Sequence, residues 1–260
     1  VAAWSAVFAS CYLLNQHFKA HYAPLIEHLN SLPPVDGWFT EHYGGDPGNG
    51  CSVGLDGLKK PWQRQNTQRL DAIRTEIDQL QVSAIERTVL LTNLIRALDE
   101  VDSTLGHYAS YLNEWSPSSF KQLHLKVPSL LPKTAPHSVH QRDIFDLIPS
   151  VEVDLAYLDP PYGSNNEKMP PSRVRYGAYY HVWTSVVQND QPPVFGKAKR
   201  RADTSDTLSA SIFEEFRRNG QSQLIAVEAI RQTLATIRAR HIILSYSSGG
   251  RATAQELNQV

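Results

Sequence analysis

The stretch that decides the fold is Val151-Glu152-Val153-Asp154-Leu155-Ala156-Tyr157-Leu158, which runs straight into Asp159-Pro160-Pro161-Tyr162. An apolar run closed by two prolines, which cannot donate to a ladder or continue a helix, reads as a strand ending at Asp159. Downstream, Ser222 to Arg240 carries Leu224, Val227, Ile230, Leu234 and Ile237 at helical spacing, and His241 to Tyr246 is a second short apolar run. Strand, amphipathic helix and strand imply a parallel pair joined by a right-handed crossover, hence an α/β sheet. In open sheets of this kind ligands bind beyond the carboxyl ends of the strands, which is where Asp159 to Tyr162 falls.

Each residue of that tetrapeptide has a task if the substrate is an amino group on a flat heterocycle. The Asp159 carboxylate can accept one amino hydrogen. Pro160 and Pro161 have restricted φ and no amide hydrogen, so they hold the turn open and can aim the Pro160 carbonyl at the second hydrogen. Tyr162 offers a ring for a base to stack on, worth roughly 1 to 3 kcal/mol. Two acceptors on one amino group leave its lone pair aimed at an electrophile, a positioning and electrostatic form of catalysis. On these four residues alone a second reading stays open, in which Asp159 caps a turn and Tyr162 packs as core.

Further segments occur in a telling order: Tyr157 to Tyr162, Arg175-Tyr176, Tyr179-Tyr180-His181, Phe195-Gly196-Lys197 and Leu244 to Gly250, preceded by Asn66 to Arg74 and Ser103 to Trp115. From about Asp56 onward the chain resembles the adenine-specific DNA methyltransferases of the Dam-like class. The resemblance implies a Rossmann-like S-adenosylmethionine-dependent sheet, incomplete here, with a helical inserted lobe. It implies transfer of the cofactor's methyl group to the exocyclic amino group of an adenine flipped out of double-stranded DNA. It gives Asp159 and Pro160 the grip on that amino group, Tyr162 the stacking face, and Asp143 and Phe145 a contact with the cofactor's adenine. Asp159 would also lie near the cofactor's methionine end. For Asp143 a helix cap before Ile144 is equally open. A cognate restriction endonuclease goes with the same resemblance as a candidate partner, while the two cysteines make a reducing cytoplasm the default location.

The family's Phe-x-Gly-x-Gly turn is not found in this sequence, and Gly163 stands where the family frequently has Asn. The helix at Ala3 to Phe18 resembles the one that follows the glycine turn, so the chain reads as an internal piece of a methyltransferase. The alternatives are a non-catalytic DNA-binding remnant, or an RNA or protein methyltransferase with a related turn.

Val1 to Phe18 is uncharged, yet it lacks a basic leader and is diluted by Ser5, Ser10, Asn15, Gln16 and His17, so it reads as a buried helix and not a membrane span. Helical periodicity continues to Leu32, where Pro33 and Pro34 end it. Val35 to Trp62 reads as a flexible loop. Its Gly44 to Gly50 cluster follows no strand and is closed by no Gly-Lys-Ser/Thr, which excludes a phosphate cradle. Leu70, Ile73, Ile77 and Leu80 define one helix, and Ile85, Val89, Leu90, Leu94 and Leu98 a second, with Ser83 and Glu86 at capping-box spacing. A third helical segment is expected through Leu105, Tyr108, Tyr111, Leu112 and Trp115. Pro117 to His140 reads as an irregular connection. The expected division is therefore 1–34 as a helical part of the catalytic domain, 35–139 as the inserted lobe and 140–260 as the catalytic α/β part.

The whole chain of 260 residues carries a formal charge of −1, so any attraction to phosphate must be local. Between Gly163 and Arg201 stand Lys168, Arg173, Arg175, Lys197, Lys199, Arg200 and Arg201, seven cations against Glu167 and Asp190. A DNA-phosphate loop is the functional reading, with Arg173, Arg175 and Lys197 to Arg201 as candidate contacts, and a solvated surface loop is the bland one. Tyr179, Tyr180 and His181 either shape the base pocket or pack. His17 and His21 share an i, i+4 helix face, but the sequence offers no His-Glu-x-x-His and no evident third ligand, so no metal is expected. Cys11 and Cys51 cannot build a disulfide framework, and neither follows a proline as a cytosine-methylating nucleophile would.

Overall fold

The computed structural model describes residues 2–260 apart from Gly50, Leu55, Pro128, 131–134, 165–174, 206–210 and Phe216. Lys168 and Arg173, two of the cations singled out above, lie outside the described residues, as does Glu167. The chain forms two compact units, one of residues 1–141 with 180–202, the other of residues 142–179 with 203–260.

The first unit is helical: α1 (Ala3–Leu14), α2 (Lys19–Ser31), α3 (Trp38–Tyr43), then α4 (Arg64–Gln79) and α5 (Ala84–Asp99). A two-residue parallel pairing joins β1 (Gly44–Gly45) to β2 (Trp62–Gln63). The expected helix over residues 1–18 stops at Leu14 because the buried Asn15 side chain bonds the chain that follows. Its amide donates to the His17 carbonyl at 2.8 Å, and its oxygen accepts from the His17 N–H at 3.2 Å and the Tyr22 hydroxyl at 2.6 Å. The next helix ends at Ser31, just before the proline pair.

Residues 35–62 are less loop-like than the sequence implies. α3 forms there because Asp71 on α4 caps it, accepting from the Phe39 N–H at 3.0 Å and the Thr40 N–H at 2.8 Å. Gly37 is required at that junction, since a Cβ would come within 2.6 Å of Asp71 Oδ1.

The apolar stripes of α4 and α5 are buried as their spacing predicts, with Leu70, Ile73, Ile77, Leu90, Leu94 and Leu98 all inside. The Ser83–Glu86 capping box is formed in full. The third helix expected through Leu105 to Trp115 is not there. Gly106 has φ +84°, Thr104 bridges to Tyr111, and the Leu112 N–H returns to the Ser103 carbonyl at 3.2 Å. This doubled-back path carries Tyr108 and Tyr111 together into the core, where Tyr108 meets Trp62 and Trp183 with ring centroids 5.3 and 4.6 Å apart.

The same core includes residues of α1 and α2, and α8 (His181–Gln188) returns to it. Residues 1–34 therefore share one core with the segment expected to be a separate lobe, and 180–202 join them. A short hairpin follows, β4 (Val194–Phe195) with β5 (Arg200–Arg201). All five tryptophans, Trp4, Trp38, Trp62, Trp115 and Trp183, belong to this unit.

The second unit is built on the expected strand, helix and strand. In order they are α6 (Ile144–Leu147), β3 (Glu152–Leu158), α7 (Tyr176–Tyr179), α9 (Ile225–Thr236), β6 (Arg238–Leu244) and α10 (Ala254–Asn258). β3 and β6 are parallel from Glu152↔Arg238 to Leu158↔Leu244, and α9 is the connecting helix that presents Ala226, Ala229 and Ile230 inward. The strand pair leaves Leu155, Tyr157 and Ile243 exposed, at 56%, 62% and 50%. The fold is thus mixed α/β with the expected parallel pair, but the helix expected to run to Arg240 ends at Thr236, and residues 238–240 are the start of β6. Among the described residues no helix is long and apolar enough to cross a membrane.

Candidate active site

β3 delivers the tetrapeptide to the carboxyl end of the parallel pair. Ladder pairing continues one step past the strands, the Ser245 N–H donating to the Leu158 carbonyl at 2.8 Å, so residues 159–162 and 245–246 leave the sheet side by side. Asp159 is exposed, and Pro160, Pro161 and Tyr162 are half-buried. The Tyr162 hydroxyl donates to Asp159 Oδ1, and it lies 3.3 Å from Ser245 Oγ. That bond to the carboxylate, more than any other cause, pushes the Tyr162 phenol above its ordinary value. Among the described residues the second Asp159 oxygen takes no side-chain bond, so one acceptor site is engaged and one is open.

A wall assembled from the chain beyond β6 holds Tyr162 in place. The Arg251 N–H donates to the Tyr162 carbonyl at 2.7 Å and the Tyr246 hydroxyl to the same oxygen at 3.2 Å, while the Ala252 N–H donates to that hydroxyl at 3.1 Å. The two tyrosine rings meet edge to face at 5.1 Å. Gly250 is where this packing tolerates no side chain: a Cβ would fall 2.6 Å from Tyr246 Cε1 and 3.1 Å from Tyr162 Cβ.

Behind the tetrapeptide, Gly163 takes φ +59° and faces Glu214, whose Cα would stand 3.5 Å from an added Cβ. Glu214 is 3% exposed and accepts the Tyr176 N–H at 2.7 Å. Burial pushes its carboxyl up to about 7, opposed by that N–H and by the charge of Arg175. The two described ends of the segment spanning 165–174 thus converge on one buried acid.

The candidate cofactor residues sit on α6. Asp143 is its N-cap, accepting the Phe145 N–H at 2.9 Å, so the capping geometry weighed from sequence is present. Asp143 nevertheless remains exposed, and Phe145 stacks on Phe213 with centroids 6.0 Å apart. An open carboxylate beside apolar rings suits an adenine ring with an amino group to bond.

The candidate phosphate contacts have unlike environments. Lys197 is exposed at the tip of the β4–β5 hairpin, and Lys199 is half-buried with its carbonyl accepting the Tyr43 hydroxyl at 2.8 Å. Arg200 lies over the Phe195 ring, 4.6 Å from its centroid. Arg201 is buried and grips Asp190 through two bonds of 2.7 Å. Arg175 is buried in the other unit. Of the tyrosine–histidine stretch, His181 is wholly buried and donates through Nε2 to the Tyr108 carbonyl at 3.0 Å, while Tyr180 packs on Trp4 at 5.2 Å.

The sequence pointed to the tetrapeptide and to Leu244–Gly250. It gave no sign of Glu214, whose part appears only when Gly163 and Tyr176 meet on it. The signal that could have found it is the acidic pair Glu214-Glu215 inside the otherwise apolar Ile212 to Phe216.

The modification methylase StsI of Streptococcus sanguinis is 27% identical over 75% of this chain and 28% of its own length. The type II methyltransferase M.NlaIII of Neisseria lactamica is 26% identical over 87% of this chain and 67% of its own. M.FokI of Planomicrobium okeanokoites, also a type II methyltransferase, is 24% identical over 75% of this chain and 28% of its own length. The chain therefore spans between about a quarter and two thirds of these relatives. No solved structure matches it. A family model matches residues 3–212, and on that match the chain belongs to the D12 class N6 adenine-specific DNA methyltransferases.

Proposed function

We propose that this chain carries the catalytic half of an enzyme that methylates the exocyclic amino group of adenine in double-stranded DNA, working in the cytoplasm beside a cognate restriction endonuclease. The observation that carries the reading is an exposed carboxylate at the carboxyl end of a parallel strand, with one oxygen fixed by Tyr162 and the other open. Asp159 accepts one hydrogen of the amino group through that open oxygen, and the Pro160 carbonyl accepts the other. The nitrogen lone pair is thereby turned out of the base plane, and the nitrogen is readied to lose one proton as it gains carbon. Tyr162 presents its ring to the base, and its hydroxyl bond to Asp159 fixes the angle between ring and carboxylate.

S-adenosylmethionine, when bound, supplies the methyl group as an electrophile on a positively charged sulfur. Asp143 and Phe145 fit its adenine, the first by its exposed acceptor and the second by its apolar stack with Phe213. A parallel pair with a helix between its strands is compatible with a Rossmann-like sheet, of which β3 and β6 would be two members. Lys197, Lys199 and Arg200 serve as phosphate contacts, supplying affinity without sequence choice, and the helical unit contributes to target recognition.

The test is methyl transfer by the protein that contains this chain, with labelled cofactor and duplex DNA. Label in N6-methyladenine is expected, and Asp159→Ala should abolish it. Label confined to cytosine, RNA or protein would reject the reading.

A further inference from the structure

At one exposed corner of the helical unit, His17, His21 and Glu86 bring two imidazoles and a carboxylate together, their ligand atoms all within 4.8 Å of one another. The sequence offered the two histidines without a partner. The fold corrects that: His17 lies in the link between α1 and α2, His21 in the first turn of α2, and Glu86 comes from the first turn of α5.

Each of the three is held by bonds that leave a ligand atom available. The His17 backbone is bracketed on both its N–H and its carbonyl by the Asn15 side chain, which is 5% exposed and also takes the Tyr22 hydroxyl. Glu86 Oε2 is tied to the Ser83 N–H at 2.8 Å by the capping box, which turns Oε1 outward to His21 Nε2, 2.6 Å away. The bond to His21 and the two to Ser83 draw the Glu86 carboxyl down to about 2, so it is a carboxylate across the ordinary pH range. The two imidazoles stack with centroids 3.9 Å apart.

We propose that His17, His21 and Glu86 form a binding site for a divalent transition-metal ion of the zinc class, with solvent at the fourth position, that ties the α1–α2 link to the start of α5. Two imidazole nitrogens and one carboxylate oxygen are a recognised three-ligand set for zinc, at roughly 2.0 to 2.2 Å per bond. The ion replaces the hydrogen bond between His21 Nε2 and Glu86 Oε1, and the two atoms move apart from their 2.6 Å separation to admit it. The exposed His17 ring turns out of the stack to bring a nitrogen into reach, since an ion lies in the plane of each ring it joins. Magnesium and calcium, which demand oxygen ligands, are excluded by the same chemistry. A second pair, His28 with Glu76 at 2.7 Å, has the same donor types but gathers no third ligand among the described residues, and so serves as an internal control.

The experiment is calorimetric titration of the chelator-treated protein with Zn²⁺, alongside thermal melts. Expected are one equivalent bound and a raised Tm, with Mg²⁺ inert. His17→Phe, which keeps a ring in the stack, and His21→Ala should each weaken binding by at least ~10-fold. His28→Ala and Cys51→Ser should leave it unchanged. Equal binding by wild type, His17→Phe and His21→Ala, loss in Cys51→Ser instead, or no binding at all would each overturn the proposal. None of these readouts depends on methyl transfer.

Discussion

On the proposed reading Tyr162 puts its ring and its hydroxyl to different uses, and two substitutions separate them. Tyr162→Phe keeps the stacking face but releases Asp159 Oδ1. It should lower kcat by about 3- to 10-fold, the weight of one hydrogen bond, and leave KM for DNA nearly unchanged. Tyr162→Ala removes the platform too and should raise KM by a factor matching roughly 1 to 3 kcal/mol. Steady-state kinetics on duplex DNA distinguishes the two, and a Phe variant as impaired as the Ala variant would show that the hydroxyl, not the ring, matters. Glu214 gives a prediction in pH. Its carboxyl is held at about 7 against an ordinary 4.5, so folding takes up a proton there. Its contribution to stability is complete below about 4.5 and is lost as pH rises through about 7, by on the order of 3 kcal/mol. Melts should weaken between about pH 5 and pH 8, and Glu214→Gln, which still accepts the Tyr176 N–H, should flatten that slope. Parallel slopes for both proteins would contradict the assignment.

At the scale of elements, the β4–β5 hairpin mixes two kinds of cation. Lys197 projects at the tip, whereas Arg201 is spent on Asp190. Lys197→Ala should weaken DNA binding evenly across sequences and reduce the salt slope of log K by about 1, with melting unchanged. Arg201→Ala should instead cost about 2 kcal/mol of stability. Titrations at several salt concentrations, paired with melts, check both, and a Lys197→Ala slope equal to wild type would remove that residue from the phosphate contacts. Elements whose cause is local were the legible ones: β3, α9 and β6 follow from their own periodicity, and α5 from its own capping box. α3 was illegible because its cap, Asp71, lies more than a helix away in sequence. Residues 105–115 misled because Tyr108 and Tyr111 repeat at helical spacing while their burial is decided by Trp62 and Trp183. The site divides in the same manner. Asp159 to Tyr162 could be read from one short stretch, but the support of Tyr162 by Tyr246, Gly250 and Arg251 exists only once β3 and β6 pair.

For the molecule as a whole, the parallel pair stands out. Parallel strands are ordinarily covered on both faces, yet Leu155, Tyr157 and Ile243 lie open on β3 and β6. The isolated chain should therefore bind an apolar-surface dye and lose solubility as concentration rises. Leu155→Lys with Ile243→Thr should reduce both effects without moving Tm by more than about 1 kcal/mol equivalent. Dye fluorescence identical in the double variant would place the sticky surface elsewhere.

The confinement of every indole to the helical unit has an optical consequence. Emission excited selectively through tryptophan follows the melting of that unit, while the unit bearing Asp159 contributes only tyrosine signal. If the two units come apart at different temperatures, indole emission and far-ultraviolet dichroism will trace different curves. A tryptophan introduced at Phe213 would then give the dark half a beacon of its own.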